Sequence, residues 1–270
     1  MLKLFTRKKL SSQQSSDKKT CWIIGASHGI GEALAQEIFS QNYNLIISAR
    51  SQDKLFEIER NLLKKNLHKK SDEITVTKTD VVDYNSLEKT CDKILQDFGK
   101  IDLVIFCSAL YQPTSVINFD LAIAKQTIQV NLIGCLNLFD IIIPKMVEQK
   151  SGQIAVIASV AGYRGLPKSF AYGASKAALI NLCEGIYPEL KSHNIDLSVI
   201  NPGFVKTRLT DKNSFKMPFI ISSELAAKKI LKGLEAKKFE IHFPKKFTFL
   251  LKILRLLPYS IFFFLTKKIV

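Results

Sequence analysis

The stretch CWIIGASHGIGEALA, residues 21–35, joins an apolar run to three glycines and then to small residues with helical spacing. Glycines in such a turn let the backbone bend sharply and let a ligand approach it closely. The helix that follows presents unpaired N–H groups and its positive dipole end to the turn. The pattern therefore predicts a site for the pyrophosphate of a dinucleotide. The turn residues predicted to bind it are Gly25, Ser27, His28, Gly29, Ile30 and Gly31.

Seven apolar runs rich in β-branched residues alternate with stretches of helical periodicity along the chain. The predicted strands are 21–25, 43–49, 73–79, 101–107, 152–158, 195–200 and 239–243. The predicted helices are 30–41, 52–66, 84–98, 119–149, 170–191 and 222–236. Alternation of buried-type strands with helices is typical of a parallel sheet covered on both faces. We therefore expect a single Rossmann-type α/β domain, a doubly wound parallel sheet, over residues 20–243.

The net charge of +15 is concentrated at the two ends of the chain. Residues 1–19 hold six Lys or Arg and one Asp, and residues 245–270 hold six Lys or Arg and no acid. A nearly balanced middle argues against a nucleic-acid-binding body and favours contact between the ends and an anionic surface. The five cysteines are scattered and lack metal-ligand spacing. We therefore expect buried thiols in a reducing, cytoplasmic compartment and no metal site.

The N-terminal segment 1–19 is basic and rich in Ser and Gln, and we predict a mobile arm. It lacks the apolar core of a secretory signal. A mitochondrial presequence is the alternative, because no acid precedes Asp17.

The C-terminal segment 244–270 is strongly apolar as well as basic. Its longest uncharged run, 256–266, contains Pro258 and is too short to span a bilayer, which needs about 20 helical residues. We predict an interfacial helix over 245–266 that lies peripherally on anionic lipid, on the inner face of a membrane, with its cations at the headgroups. The alternative is a tail that packs on the parent domain or on a second subunit.

The ends of the second and third predicted strands indicate which nucleotide fits. An acid at the end of the second strand would accept hydrogen bonds from the adenosine ribose and favour NAD. This strand ends at Arg50, which can bind a 2′-phosphate with His28 as a second donor, and that favours NADP(H) over NAD(H). An ordinary solvated cation is the alternative for Arg50. Asp80 and Val81 are placed for the adenine, although Asp at a strand end is also a common helix cap.

A tyrosine and a lysine stand four residues apart in FAYGASKAAL, residues 170–179. On a helix this spacing stacks Tyr172 and Lys176 on one face. The pair is either a surface coincidence or a device for proton transfer.

Three sets of motifs resemble the short-chain dehydrogenase/reductase (SDR) family over residues 20–243. They are the glycine turn with Asp80, the stretch ASVAGYRGLPKSFAYGASK (158–176) and the stretch NPGFVKT (201–207). The resemblance implies an oxidoreductase that interconverts a carbonyl and an alcohol with a nicotinamide cofactor. It places the family's catalytic residues on Asn131, Ser159, Tyr172 and Lys176. It places further cofactor contacts on Ser108, Tyr172, Lys176, Pro202, Gly203, Val205 and Thr207.

The same resemblance assigns a role to each catalytic residue. Tyr172 is the general acid/base, and the ammonium of Lys176 is expected to lower its pKa and to hold the nicotinamide ribose. Ser159 donates a hydrogen bond to the carbonyl oxygen, and Asn131 holds a water that resupplies protons. The chain departs from the family at residues 106–109, where FCSA replaces Asn-Asn-Ala-Gly. The departure puts cofactor affinity and bracing of the sheet in question, with Ser108 as a partial polar substitute.

The resemblance also bears on substrate and assembly. The family places a mobile substrate lid at 208–222, where Phe215, Met217, Phe219 and Ile220 predict an apolar lining and a lipophilic carbonyl or alcohol. The alternative is that these side chains only pack on the core. The family implies a homodimer or homotetramer. Two other functions stay open: a non-catalytic NADPH-binding regulatory protein, and a membrane-surface interaction protein.

Overall fold

A computed structural model describes residues 18–213, 215 and 217–267. Within them seven parallel strands form one sheet in the order β3-β2-β1-β4-β5-β6-β7. The strands are β1 Lys19–Ile24, β2 Tyr43–Ala49, β3 Ile74–Lys78, β4 Leu103–Phe106, β5 Gly152–Ile157, β6 Ile195–Pro202 and β7 Glu240–Phe243. The helices are α1 Gly29–Phe39, α2 Gln52–Lys65, α3 Tyr84–Phe98, α4 Leu121–Ile128, α5 Gly134–Gln149, α6 Phe170–Ser192, α7 Ser223–Glu235, α8 Lys245–Leu256 and α9 Tyr259–Thr266.

Two apolar layers cover the sheet, one on each face. Trp22 and Ile24 of β1 pack into the layer that contains α3, α5 and α6. Their neighbours Cys21 and Ile23 pack into the layer that contains α1, α2 and α7. Successive side chains of a strand point to opposite faces, so burial on both faces explains the continuous apolar runs in the sequence. The predicted doubly wound Rossmann-type fold is confirmed.

The order of the strands places a crevice at the centre of the sheet. β1 lies between β2 and β4, so the chain crosses from one half of the sheet to the other at this point. In open parallel sheets the ligand site lies outside the carboxyl ends of the strands at such a reversal. The loops after β1, β4, β5 and β6 meet there.

The predicted helix 119–149 has three parts. α4 and α5 are joined by the π-helical segment Gln129–Ile133. The stretch Leu121–Gln149 is long and apolar enough to cross a bilayer by length and composition, and half of its apolar window is buried. We assign it to the core, because Val130, Cys135 and Leu138 pack in the layer under the sheet.

The two ends of the chain differ from the predictions. Residues 1–17 of the predicted arm lie outside the described residues, and Lys19 already belongs to β1. The single helix predicted over 245–266 is wrong, because α8 and α9 are separated at Leu257 and Pro258. Proline lacks the N–H of a helical turn and disfavours helical backbone in the residue before it, which accounts for the break.

One of the cations predicted to lie at the lipid headgroups, Lys252, faces the domain instead. Lys252 of α8 forms an ion pair with Glu240 of β7, and its Nζ lies 5.7 Å from the centre of the Tyr163 ring. This side of α8 therefore packs on the domain, as the alternative for the tail expected.

Candidate active site

The glycine turn after β1 is closed tightly against the neighbouring strands. Gly25 has φ +89°, and a Cβ on it would lie 2.6 Å from the backbone N of Ser108. A Cβ on Gly31 would clash with the carbonyl oxygen of Gly25. Side chains at these positions would fill the space between the turn and the loop after β4. The glycines thus keep the backbone N–H groups at the start of α1 accessible to a ligand.

A cleft of about 380 Å³ runs from this turn across the carboxyl ends of the strands. Its walls contain every residue predicted to contact the cofactor, namely Gly25, Ser27, His28, Gly29, Ile30, Gly31, Arg50, Asp80, Val81, Ser108, Tyr172, Lys176, Pro202, Gly203, Val205 and Thr207. The walls also contain Cys107 and Arg208, which the sequence analysis did not single out. The available signal for Arg208 was its position directly after Thr207 in the sequence.

Polar groups in the cleft fit a phosphorylated nucleotide. His28 Nε2 is buried and has no hydrogen-bond partner among the described residues, while Nδ1 lies 3.0 Å from Ser27 Oγ. Burial lowers the pKa of His28, and the positive charges of Arg208 and Lys54 lower it further. Arg50 is exposed at the mouth of the cleft and forms no ion pair with the residues described. An anion bound here would supply the partner that these groups lack.

Asp80 lies in the cleft and does not cap a helix. Its Oδ1 accepts a hydrogen bond from Val82 N at 3.1 Å, whereas the N-cap of α3 is Asp83, which accepts from Ser86 N. The capping alternative for Asp80 is therefore wrong.

Ser159, Tyr172 and Lys176 meet at the inner end of the cleft. Ser159 follows β5 and accepts a hydrogen bond from Ala161 N at 3.1 Å, and its hydroxyl is close enough to the Tyr172 phenol to affect the pKa of that group. Lys176 lies one turn after Tyr172 on α6, with Nζ 5.7 Å from the centre of the Tyr172 ring. Its Nζ donates to Ile157 O at 2.7 Å. The helical spacing does bring the phenol and the amine together inside the protein.

Burial controls the pKa values of this pair. It raises the pKa of Tyr172 to about 12, although the neighbouring Ser159 hydroxyl acts in the opposite direction. It lowers the pKa of Lys176 to about 8. The expectation that Lys176 lowers the pKa of Tyr172 does not hold in this structure, because desolvation dominates and Nζ donates to a carbonyl instead of the phenol. Tyr172 is consequently a protonated donor at neutral pH.

Asn131 lies in the π-helical segment, and its side-chain amide makes three hydrogen bonds. Oδ1 accepts from Leu110 N at 2.6 Å, and Nδ2 donates to Leu110 O at 3.0 Å and to Ser175 Oγ at 3.0 Å. The amide thus fastens the segment after β4 to α6. Both side-chain N–H groups are used, so the predicted water would be held by the second lone pair of Oδ1 or by the backbone.

A second cavity of about 150 Å³ adjoins Ser159 and Tyr172. Most of its walls are apolar and come from the loop before α6, the end of β6, the predicted lid and α8. The apolar wall residues include Leu166, Pro167, Phe204, Leu209, Phe215, Phe247 and Leu251. Tyr111 also lines it, with its ring 4.8 Å from the Tyr172 ring in an edge contact. The two cavities therefore meet at the catalytic side chains.

The predicted lid contributes less to this cavity than expected. Of the four apolar residues predicted to line it, only Phe215 does so, although Leu209 of the same segment lines it too. Phe219 instead contacts Phe247, with 6.2 Å between the ring centres. Phe247 and Leu251 of α8 form another part of the cavity wall. The sequence analysis did not identify them as lining residues. Their spacing of four residues on an apolar helix was the available signal, but nothing local tied that face to Tyr172.

The five cysteines are free thiols, four of them buried and Cys107 partly buried. This confirms the expectation of buried thiols. Among the described residues, no group of three His, Cys, Asp or Glu side chains is placed to hold a metal ion.

Comparison with known proteins identifies the family. The profile of the short chain dehydrogenase family matches residues 19–217. "Dehydrogenase/reductase SDR family member 7" of Mus musculus is 34% identical over 195 residues, which are 72% of this chain and 57% of the relative. The chain thus spans just over half the length of that relative.

Two solved structures illustrate the shared fold. "ElxO with NADP Bound" matches with a TM-score of 0.74 and 23% identity, covering 83% of this chain and 97% of that chain. A short chain dehydrogenase/reductase from Burkholderia phymatum in complex with NAD matches with a TM-score of 0.75 and 21% identity, covering 84% and 89%.

The chain belongs to the short-chain dehydrogenase/reductase family. The predicted family membership is therefore confirmed.

Proposed function

We propose that this protein is an NADP(H)-dependent oxidoreductase that interconverts a lipophilic carbonyl and its alcohol, with Tyr172 as the general acid/base. The observation that carries the proposal is that Ser159 and Tyr172 line both cavities and lie at their junction. One cavity suits a nucleotide and the other an apolar substrate. A carbonyl between them would lie beside both hydroxyl groups.

Bound NADPH would supply the hydride that reduces the carbonyl carbon. Tyr172 donates its proton to the carbonyl oxygen as negative charge develops there. Ser159 stabilises the same charge through its hydroxyl group. Lys176 would bind the nicotinamide ribose through its ammonium group and so position the nicotinamide for hydride transfer.

A lipophilic substrate is the class that the second cavity favours. Its ring-bearing walls offer few free polar groups, since the Tyr111 hydroxyl already donates to Asn213 Oδ1 at 2.7 Å. A polar substrate would lose hydrogen bonds to water there without replacing them. The apolar part of a ketone or aldehyde would lose none.

The cofactor preference is tested by Arg50→Ala. If Arg50 binds the 2′-phosphate, its loss should weaken NADPH binding about tenfold to hundredfold and leave NADH binding within about twofold, because a charge-assisted hydrogen bond contributes about 1.5–3 kcal/mol. Fluorescence titration of both cofactors measures this. Arg60→Ala, an exposed cation of α2 outside the cleft, is the matched control. Equal losses for NADPH and NADH would contradict the proposed role.

We further propose that the outward side of α8 and α9 contacts anionic lipid, so that this cytoplasmic protein is peripheral on the inner face of a membrane. Support comes from the exposed apolar residues of this face, which are Phe249, Leu250, Ile253, Leu256, Tyr259, Ile261, Phe263, Phe264 and Leu265. Lys245, Lys246 and Arg255 are exposed beside them. Two copies of such a surface would repel each other, whereas an anionic membrane would attract each one. The homodimer or homotetramer typical of the family remains part of the proposal.

Vesicle sedimentation with Phe249→Glu and Leu256→Glu combined tests the lipid surface. Insertion of each large apolar side chain is worth about 1.5–3 kcal/mol, so the double variant should bind anionic vesicles at least about tenfold more weakly. The matched control is Phe56→Glu with Leu67→Glu, since Leu67 is 88% exposed on the domain and Leu256 is 83% exposed on the tail. Wild-type binding should also weaken with salt. Failure of the wild type to bind at low salt, or a change of oligomeric state in the double variant, would contradict the proposal.

A further inference from the structure

Arg164 joins the two tail helices to the segment that follows Ser159. Its Nη1 lies 2.7 Å from Leu254 O, 2.7 Å from Leu257 O and 3.2 Å from Arg255 O. The last carbonyl groups of a helix have no partner within the helix, so Arg164 caps α8. The same guanidinium lies over a ring of α9, 3.9 Å from the centre of Phe262. One side chain therefore holds both tail helices.

A second tie starts from the preceding residue. Tyr163 is buried, and its hydroxyl donates to Glu240 Oε1 at 2.6 Å. Glu240 is also the partner of Lys252 on α8. Adjacent residues thus fix the catalytic segment to the middle of α8 and to its end.

Between these ties and the start of the helix, α8 turns two apolar side chains toward the substrate cavity. Phe247 and Leu251 are one helical turn apart and both line that cavity. The Phe247 ring lies 5.5 Å from the ring of Phe204, and a Cβ on Gly203 would lie 2.8 Å from it. The position of α8 therefore sets the width of the cavity beside Tyr172.

We propose that Arg164 is a positioning residue that holds α8 as a wall of the substrate cavity, so that the docked tail selects substrates with an apolar chain. This inference rests on the proposed function of the same site. The tail helices then have two functional faces: the inner face of α8 contacts the substrate, and the outer face of α8 and α9 contacts solvent or lipid. Arg164 itself lies outside both cavities and acts through Phe247 and Leu251.

The wall is tested by Phe247→Ala in vesicle-free solution with octan-2-one and butanone as substrates. Loss of the ring should raise KM for octan-2-one by about tenfold, because truncating a contact in an apolar pocket has effects of this size. The KM for butanone should rise by less than about threefold, because its shorter chain makes fewer contacts with this wall. Phe56→Ala, the same substitution on the exposed face of α2, should change neither value. Equal effects of Phe247→Ala on both ketones would overturn the proposal.

The positioning role is tested by Arg164→Met and Arg164→Lys. The methionine variant should lose the preference for octan-2-one over butanone as Phe247→Ala does, with butanone kcat retained. Lysine keeps the charge and a donor for the carbonyl groups but loses the planar group that lies over Phe262, so it should restore part of the preference. Arg60→Met is the matched control. A methionine variant that is folded, as judged by its melting temperature, and keeps the wild-type preference would overturn the role of Arg164. Loss of the preference in Arg164→Lys to the same extent would do so too.

Failure of the proposed function can be told apart from failure of this inference. Binding of octan-2-one to the NADPH-loaded protein is measured by calorimetry in the wild type, Phe247→Ala and Phe56→Ala. If the wild type reduces neither ketone, but only Phe247→Ala weakens the binding of octan-2-one, then the reductase proposal fails and the role of α8 as a cavity wall is supported. If wild type does not bind octan-2-one, or all three proteins bind it equally, the wall is overturned.

Discussion

Tyr172→Phe is expected to lower kcat by about 10²–10⁴-fold, because it removes the proposed general acid. NADPH affinity should change by less than about threefold, since the ring remains and only the hydroxyl is lost. Phenylalanine also fills the same space, so the fold should persist. Turnover is followed by NADPH absorbance and affinity by NADPH fluorescence.

Tyr111→Phe is the control for this variant. The Tyr111 ring touches Tyr172, but its hydroxyl donates to Asn213 and not to Ser159. Its kcat should fall by less than about tenfold. Retention of more than a few per cent of activity in Tyr172→Phe would contradict the assignment of the acid, as would equal losses in the two variants.

Lys176→Met is expected to raise the NADPH dissociation constant and to lower kcat, each by about tenfold or more. Methionine keeps most of the buried volume of Lys176, so the variant removes the ammonium without opening a cavity. One charged group serves two roles in the proposal: it binds the ribose, and it thereby positions the nicotinamide for hydride transfer. Titration with NADPH and steady-state kinetics separate them. An unchanged NADPH affinity would rule out the ribose contact.

The pH dependence of NADPH binding gives a second result for Lys176. Burial lowers its pKa to about 8, so Lys176 is charged below that pH and neutral above it. Affinity for NADPH and the rate of reduction should therefore fall as pH rises from 7 to 9.5, and the fall in affinity should be absent in Lys176→Met. Tyr172 stays protonated in this window, and burial keeps the thiols of Cys107 and Cys135 neutral by raising their pKa values. His28 is neutral throughout, because its pKa is lowered. A flat affinity profile in the wild type would contradict this role.

The sequence predicted the sheet and the proximity of Tyr172 and Lys176 because both depend on local patterns. Alternating apolar runs placed each strand within two residues of its observed ends. The spacing of Tyr172 and Lys176 placed both on one helix. Because this helix, α6, is the next long helix after β5, both residues follow Ser159 in the chain. Such features need no knowledge of distant contacts.

Features that depend on distant contacts were not predicted. Arg164 caps a helix 90 residues further along the chain, and no motif announces that contact. No motif predicted the position of Phe247 either, because it lines the second cavity only as a result of the packing of α8 on the domain. The raised pKa of Tyr172 depends on burial, which spacing along a helix does not report. The packing of the C-terminal tail and the pKa of Tyr172 were therefore both predicted wrongly for one reason: each is decided by tertiary packing.

The central claim is that the hydroxyl groups of Ser159 and Tyr172 complete a carbonyl reduction. The most direct measurement is the formation of alcohol from a panel of aldehydes and ketones with NADPH as reductant, with the product identified by mass spectrometry. The account predicts that at least one lipophilic carbonyl gives its alcohol with one NADPH consumed per product, and that Tyr172→Phe forms almost none. A wild-type protein that binds NADPH but reduces no member of the panel would contradict it and favour a non-catalytic binding protein.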